Sequence, residues 1–361
     1  MQKKIVLLPG DGIGPSVTEA AASVLLRVAD IFSHTFTFDE KNIGGAAIDS
    51  CGEPLPADTL QACQGADAIL LGAVGGPKWD RHPPHLRPEK GLLQLRKGLG
   101  LFANLRPVKT FPSLLASSPL KQEIVAGSDL LIVRELTGGL YFGTPSERRN
   151  EGQTVVDTLH YERYEMERIV ETGFQSAMLR NKHLASVDKA NVLESSKLWR
   201  EIVDEKSKDY PEVTVEHMLV DSTAMKLITN PTYFDVIVTE NLFGDILSDE
   251  ASVLTGSLGL LPSASLREDT LGLYEPVHGS APDIAGKDIA NPLGTILSAA
   301  MLLRYSFGME KEAKAVEKAV DEVLESGYGT QDMQGNPETI VGTEKMTSLV
   351  IDQLMTAKVS S

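Results

Sequence analysis

The chain has 361 residues, a formal net charge of -16, 42% hydrophobic residues and 23% charged residues. An acidic surface repels phosphate backbones and anionic headgroups, which argues against nucleic acid and membrane partners, and no apolar run reaches the ~20 residues a membrane span needs. The length fits two domains or one large α/β unit, and two cysteines, Cys51 and Cys63, make no disulfide framework, so a cytoplasmic protein with free thiols is expected.

The apolar run 5–8 reads as a buried strand ending at Pro9-Gly10. It is too short for the core of a signal peptide. Pro15 stands where a first-turn proline is tolerated, and 17–29 carries helical periodicity. A second buried strand is expected in 66–74. Residues 89–97 set Leu92, Leu93 and Leu95 among charges, as a helix does. Strands follow over 101–109, 130–134 and 154–158, the last after the turn Asn150-Glu151-Gly152. A long helix over 161–179 leads to strand 183–187, helix 193–207, strand 213–220, helix 222–228, strand 236–239 and helix 242–254. The final third holds a Gly/Pro-rich loop over 276–292 and three more helices. Alternation of this kind predicts an α/β fold with a mainly parallel sheet.

Gly10-Asp11-Gly12-Ile13-Gly14-Pro15 follows the first strand and opens the first helix. The dinucleotide fingerprint needs glycine at its sixth position, where helix and strand pack closely, and Pro15 stands there. An ordinary Rossmann site is therefore not expected. The turn either aims backbone amides at a ligand or is simply a tight entry to the helix.

Four constellations could carry chemistry. Arg96, Arg106 and Arg134 lie on a helix, on a strand and at the end of the apolar run 130–133. Arginine forks bind carboxylates, although each alone is more often a surface or ion-pair residue. Asp245 and Asp249 stand four apart and share one helical face. With Asp221 they offer an oxygen-only set suited to Mg2+ or Mn2+, the alternative being a solvated acidic face. Lys189, just after a strand, and Tyr141, in a glycine-rich stretch, could act as base and acid. The loop Glu275-Pro276-Val277-His278-Gly279-Ser280-Ala281-Pro282-Asp283-Ile284-Ala285-Gly286-Lys287-Asp288-Ile289-Ala290-Asn291-Pro292 has small residues that admit a flat ligand. If it binds adenosine, Asp283 favours NAD, because a carboxylate accepts from both ribose hydroxyls and repels a 2′-phosphate.

Taken with Gly72-Ala73-Val74-Gly75-Gly76-Pro77-Lys78-Trp79, Leu101-Phe102-Ala103-Asn104-Leu105-Arg106-Pro107, Arg134-Glu135-Leu136-Thr137-Gly138-Gly139 and Asp188-Lys189-Ala190-Asn191-Val192-Leu193, these motifs run in order along nearly the whole chain. In this the sequence resembles the isocitrate/isopropylmalate dehydrogenase family. The resemblance implies two open α/β domains around a central cleft, not a Rossmann domain. Residues 1–103 plus 257–361 would bind cofactor, and 104–256 would bind substrate and metal and form a homodimer with shared active sites. It further implies NAD-dependent oxidative decarboxylation of 3-isopropylmalate to 2-oxoisocaproate (4-methyl-2-oxopentanoate) and CO2, a step of leucine biosynthesis.

Under the resemblance, Arg96, Arg106 and Arg134 grip the substrate carboxylates. Asp221, Asp245 and Asp249 hold Mg2+ or Mn2+, with Asp221 also at the substrate. Lys189 takes the hydroxyl proton and Tyr141 returns a proton to carbon. Lys189 and Asp221 serve the partner subunit's site. Gly75, Gly76, Pro77 and Glu89 line the cofactor, with Asn191 near the nicotinamide. Glu275, His278, Gly279, Ser280, Ala281, Pro282, Asp283, Ile284 and Asn291 line it from the loop. Leu92 and Leu93 offer an apolar wall to a branched alkyl group, where a third carboxylate would have no partner. Ser16 departs from the glutamate that many relatives carry after the glycine turn, with local helix capping the expected consequence. Other readings are a relative acting on D-malate, tartrate or homoisocitrate, a metal-dependent phosphohydrolase, and a non-catalytic binding module. The retained Lys189 and Tyr141 argue against the last.

Overall fold

The structure is a computed structural model that describes residues 1–333 and 338–359. The first third runs β1 (Gln2–Gly10), α1 (Gly14–Phe32), β2 (Thr35–Glu40), α2 (Gly44–Cys51), α3 (Ala57–Gln64), β3 (Ala68–Ala73), α4 (Pro88–Leu99) and β4 (Ala103–Lys109). The middle runs α5 (Gln122–Val125), β5 (Asp129–Glu135), β6 (Glu147–Arg149), β7 (Thr154–Val156), α6 (Arg163–Met178), β8 (His183–Asp188), α7 (Glu194–Lys206), β9 (Thr214–Leu219), α8 (Val220–Thr229), β10 (Val236–Thr239) and α9 (Asn241–Ser252). The last third runs β11 (Pro262–Leu266), β12 (Gly272–Pro276), α10 (Leu293–Tyr305), α11 (Glu310–Glu325), β13 (Tyr328–Gly329), β14 (Thr339–Ile340) and α12 (Thr343–Val359).

Two compact units result. Unit 1 takes Met1–Leu101, Phe111–Pro119 and Thr255–Ser361, and unit 2 takes Phe102–Thr110 and Leu120–Leu254. The excursion Phe111–Pro119 lies in the part of the chain expected to fall in the second domain. It packs with unit 1 instead, where Ser117 sits directly on the backbone of Gly256.

In unit 1 the strand order is β2-β1-β3-β12-β11. The first four are parallel, and β11 runs antiparallel to β12. Every residue of β3 is buried, as expected for a parallel strand covered on both faces. Val6, Leu8, Ile69, Leu71, Leu95, Leu101 and Leu273 form the centre of one core cluster. Each such side chain gains ~1.5–3 kcal/mol on leaving water.

The glycine turn between β1 and α1 braces this unit. Asp11 N–H donates to Ala73 O and Ile13 N–H to Ser280 O, both at 2.8 Å. Gly12 has φ +59°, and a Cβ there would fall 1.9 Å from Ser280 O. These two amides are thus spent on the protein, which favours the tight-turn reading. The Asp11 carboxylate is buried and accepts from Gly45, Ala46 and Gly75 N–H at 2.8, 2.7 and 2.8 Å. Burial holds its carboxyl above the ordinary range despite those bonds. Ser16 Oγ donates to Ile13 O at 2.8 Å, a local bond at the start of α1.

In unit 2 the order is β4-β5-β10-β8-β9, with β4 antiparallel to β5 and the others parallel. The mainly parallel sheet expected from the alternation is present in both units. The β4–β5 register sets Asn104 opposite Arg134 and Arg106 opposite Ile132. Side chains alternate faces along a strand, so Asn104, Arg106 and Arg134 share one face. The helix α6 begins at a reciprocal capping box between Glu162 and Glu165. Among the described residues no helix is long and apolar enough to cross a membrane.

Candidate active site

Unit 2 gathers one cluster around α9. Arg134 is the penultimate residue of β5 and is itself buried. Its Nε and Nη2 donate to Asn241 Oδ1 at 3.2 and 2.8 Å, and its Nη1 bonds Asp245. Arg106 reaches the same helix from β4. Its Nη1 donates to Ser248 Oγ at 2.7 Å and to Asp249 at 3.2 Å, and its Nη2 lies 3.8 Å from Asp245. Asn104, opposite Arg134 in the register, steadies Arg106 Nε at 2.8 Å.

Tyr141 donates its hydroxyl to the second oxygen of Asp245, and the Arg134 guanidinium stands 5.5 Å from its ring centre. Burial raises the Asp245 carboxyl, but Arg134, Tyr141 and Arg106 outweigh it, so the net shift is downward. Burial and the Asp245 carboxylate push the Tyr141 phenol up, which keeps it protonated at neutral pH. The spacing expected to align Asp245 and Asp249 therefore does so, and two of the three arginines meet them.

A second group lies where β8 ends. Asp188 is buried, accepts from Arg200 at 2.6 and 3.0 Å and from Ala190 N–H at 2.8 Å. The turn so fixed carries Lys189 and the exposed Asn191. Lys189 N–H donates to Ser196 Oγ at 3.0 Å, and its Nζ donates to Asp221 Oδ1 at 2.5 Å. That bond draws the Asp221 carboxyl below its ordinary range. Among the described residues no three His, Cys, Asp or Glu side chains converge as a metal site. Within one chain, Asp221 thus does not join Asp245 and Asp249.

Unit 1 holds the remaining candidates. Arg96 on α4 pairs with Glu275 of β12 at 2.6 Å, both largely buried. Leu92 packs against the core cluster as a partly buried side chain. Leu93 is half-buried and Glu89 exposed. Gly75 lies close to Glu89, whose Oε1 would be 2.7 Å from a Cβ at that position. Gly76 and Pro77 lead into a short 3-10 turn.

In the loop, Ser280 receives Ile13 N–H, and Ala281 and Ile284 pack on Ile13, Val17 and Ala290. Asn291 donates to Asp332 and accepts from Leu293 N–H, each at 3.0 Å, so its amide anchors the start of α10. His278 Nδ1 pairs with Gly279 O at 2.9 Å, and burial lowers the imidazole pKa, which leaves it neutral at neutral pH. Asp283 is exposed, as are Gly279 and Pro282.

Residues that the sequence did not single out are Asn241, Ser248, Asn104, Tyr161 and Glu240. Asn241 lies four before Asp245, one turn earlier on the same face, and that spacing was the available signal. Glu240 is the N-cap of α9, accepting from Phe243 N–H at 2.9 Å and from the Tyr161 hydroxyl at 3.1 Å.

Two arginines and a tyrosine converging on paired carboxylates fit recognition of a polyanionic acid with a hard cation. A family model described as isocitrate/isopropylmalate dehydrogenase matches residues 4–350. The chain is 67% identical over 360 residues to a 3-isopropylmalate dehydrogenase of Oceanobacillus iheyensis, covering 100% of this chain and 98% of that one. It is 61% identical to that of Bacillus subtilis, covering 98% of each. Among solved structures it is similar to an isocitrate dehydrogenase from Methylococcus capsulatus, with a TM-score of 0.85, 35% identity and coverage of 98% and 99%. A beta-decarboxylating dehydrogenase from Thermococcus kodakarensis gives a TM-score of 0.81, 37% identity and coverage of 98% and 96%. With the motifs, the unit 2 cluster and these full-length relatives in agreement, the chain belongs to the isocitrate/isopropylmalate dehydrogenase family.

Proposed function

We propose that this protein is the NAD-dependent dehydrogenase that oxidises 3-isopropylmalate and releases CO2 in leucine biosynthesis. The observation that carries this reading is the cluster of Arg106, Arg134 and Tyr141 on Asp245 and Asp249. Full-length relatives named for that substrate support it. Arg96, Arg106 and Arg134 are assigned to the two carboxylates, and Leu92 and Leu93 to the isopropyl group. A branched alkyl group gains burial against leucine, whereas the third carboxylate of isocitrate would be stranded there.

The carboxylate oxygens of Asp245 and Asp249 suit Mg2+ or Mn2+, which commonly takes one or two protein carboxylates and completes its shell with substrate and water. Bound there, the ion would polarise the substrate hydroxyl and later the ketone. NAD, held by the residues assigned to it below, would supply the acceptor for the hydride that leaves C2. Lys189 takes the hydroxyl proton as the C2 ketone forms. The C–C bond to the carboxylate β to that ketone then breaks, and its electron pair stays on the remaining carbon. Tyr141, held protonated beside Asp245, returns a proton to that carbon.

Asp283 is assigned to the adenosine ribose. Gly75, Gly76, Pro77 and Glu89 are assigned to the lining of the cofactor site, with Asn191 near the nicotinamide. Lys189 and Asp221 stand apart from Asp245 and Asp249 within one chain, which fits a homodimer in which each subunit lends this pair to the other. Met225 and Ile228 on α8, Ile246 on α9 and Val155 on β7 are exposed large apolar side chains and suit such an interface. The acidic charge and the absence of a membrane-spanning helix among the described residues suit a cytoplasmic enzyme.

Removing divalent ions with a chelator is expected to lower NADH formation by roughly 100-fold or more, with recovery on adding Mg2+ or Mn2+. Activity indifferent to the chelator would remove the metal from the proposal.

A further inference from the structure

We propose that Asn241 is a positioning residue for substrate binding: a neutral amide that fixes the Arg134 guanidinium while sparing its positive charge for a substrate carboxylate. The inference rests on the assignment of Arg134 to carboxylate binding made above.

Arg134 is 3% exposed. A buried guanidinium needs acceptors, and the strongest ones are carboxylates. Yet the edge formed by Nε and Nη2 is taken by one amide oxygen, Oδ1 of Asn241, at 3.2 and 2.8 Å. Asn241 is 1% exposed and is held at two further points. Its Nδ2 donates to Gly138 O at 3.2 Å, and its backbone N–H donates to the Tyr161 hydroxyl at 3.0 Å. The bond to Gly138 O also fixes which end of the amide is oxygen, since only nitrogen can donate there. Gly244 completes the seat, because a Cβ there would lie 2.6 Å from Arg134 Cγ.

The choice of amide over carboxylate has a physical consequence. Arg134 already bonds Asp245 through Nη1. A carboxylate at position 241 would make one cation the shared partner of two anions, and an arriving dicarboxylate would meet added negative charge. The amide supplies the same two acceptor contacts with no net charge. The adjacent carboxylate, Glu240, spends its bonds on Tyr161 and on Phe243 N–H.

The test compares two variants with the wild-type protein, loaded with Mg2+ and NAD. Asn241→Asp keeps the acceptor oxygen and adds a charge. It is expected to raise KM for 3-isopropylmalate by about tenfold, with kcat held within about threefold, because contact to the carboxylate is lost equally from ground and transition states. Asn241→Ser loses the reach to Arg134 without adding charge and raises KM by less. KM for NAD stays unchanged in both. A purely structural role predicts lower melting temperatures with KM for the acid unchanged, and that result overturns the proposal, as does a KM for Asn241→Asp at or below that of Asn241→Ser. Should Asn241→Asp fail to fold, an unchanged KM in Asn241→Ser still overturns the positioning role. Failure of the proposed function reads differently, since the wild-type protein would then not turn over 3-isopropylmalate at all.

Discussion

Lys189→Ala is expected to lower kcat by about 10^3-fold, within the range a positioned general base contributes, while 3-isopropylmalate and NAD still bind. The geometry makes this a clean deletion. The turn that presents Lys189 is held by its backbone bond to Ser196 and by the Asp188 brace, and neither uses the amine. The lost partner of the amine is Asp221, whose side chain is 57% exposed and can be solvated instead. Exposed pairs of this kind add little to stability. Turnover measured beside substrate affinity by calorimetry separates the two effects. Near-normal turnover in the variant would take Lys189 out of the mechanism.

Asp283→Lys is expected to shift the NAD-to-NADP ratio of kcat/KM by roughly 100-fold toward NADP, since the carboxylate suits two ribose hydroxyls and an ammonium suits a 2′-phosphate. The loop backbone should survive the change. Ser280 is tied to Ile13, Ile284 packs in a small cluster and Asn291 anchors α10, while Asp283 itself is exposed. Steady-state kinetics with both cofactors is the measurement, and an unchanged ratio would remove Asp283 from cofactor selection.

Much of this arrangement is legible in local pattern. The run 5–8 and the proline at the start of α1 mark the first strand and helix. The four-residue spacing of Asp245 and Asp249 places both on one face because α9 is a regular helix. The short strands are harder to see. The sequence of β11, Pro-Ser-Ala-Ser-Leu, is short, made mostly of small residues and without a β-branched or aromatic one, and it is a strand because β12 pairs with it from Pro262↔Pro276 to Leu266↔Gly272. β2 is missed although Phe36 is buried, since its neighbours Thr35 and Thr37 are polar and it gains its place from β1.

In the site, the acidic pair and the individual arginines can be picked out by type. Their convergence cannot, because it depends on the β4–β5 register that sets Asn104 beside Arg134. Asn241 escapes notice for a related reason. An asparagine at a helix start reads as ordinary capping chemistry, and only the fold brings Arg134 and Gly138 to its side chain.

The most direct test of the central claim is NADH formation by the purified protein with Mg2+ or Mn2+, offered 3-isopropylmalate, isocitrate, homoisocitrate, D-malate and tartrate in parallel. The account predicts a kcat/KM for 3-isopropylmalate well above that of every other acid. Preference for another acid would contradict the role given to Leu92 and Leu93, and no NADH from any of them would contradict the proposed function itself.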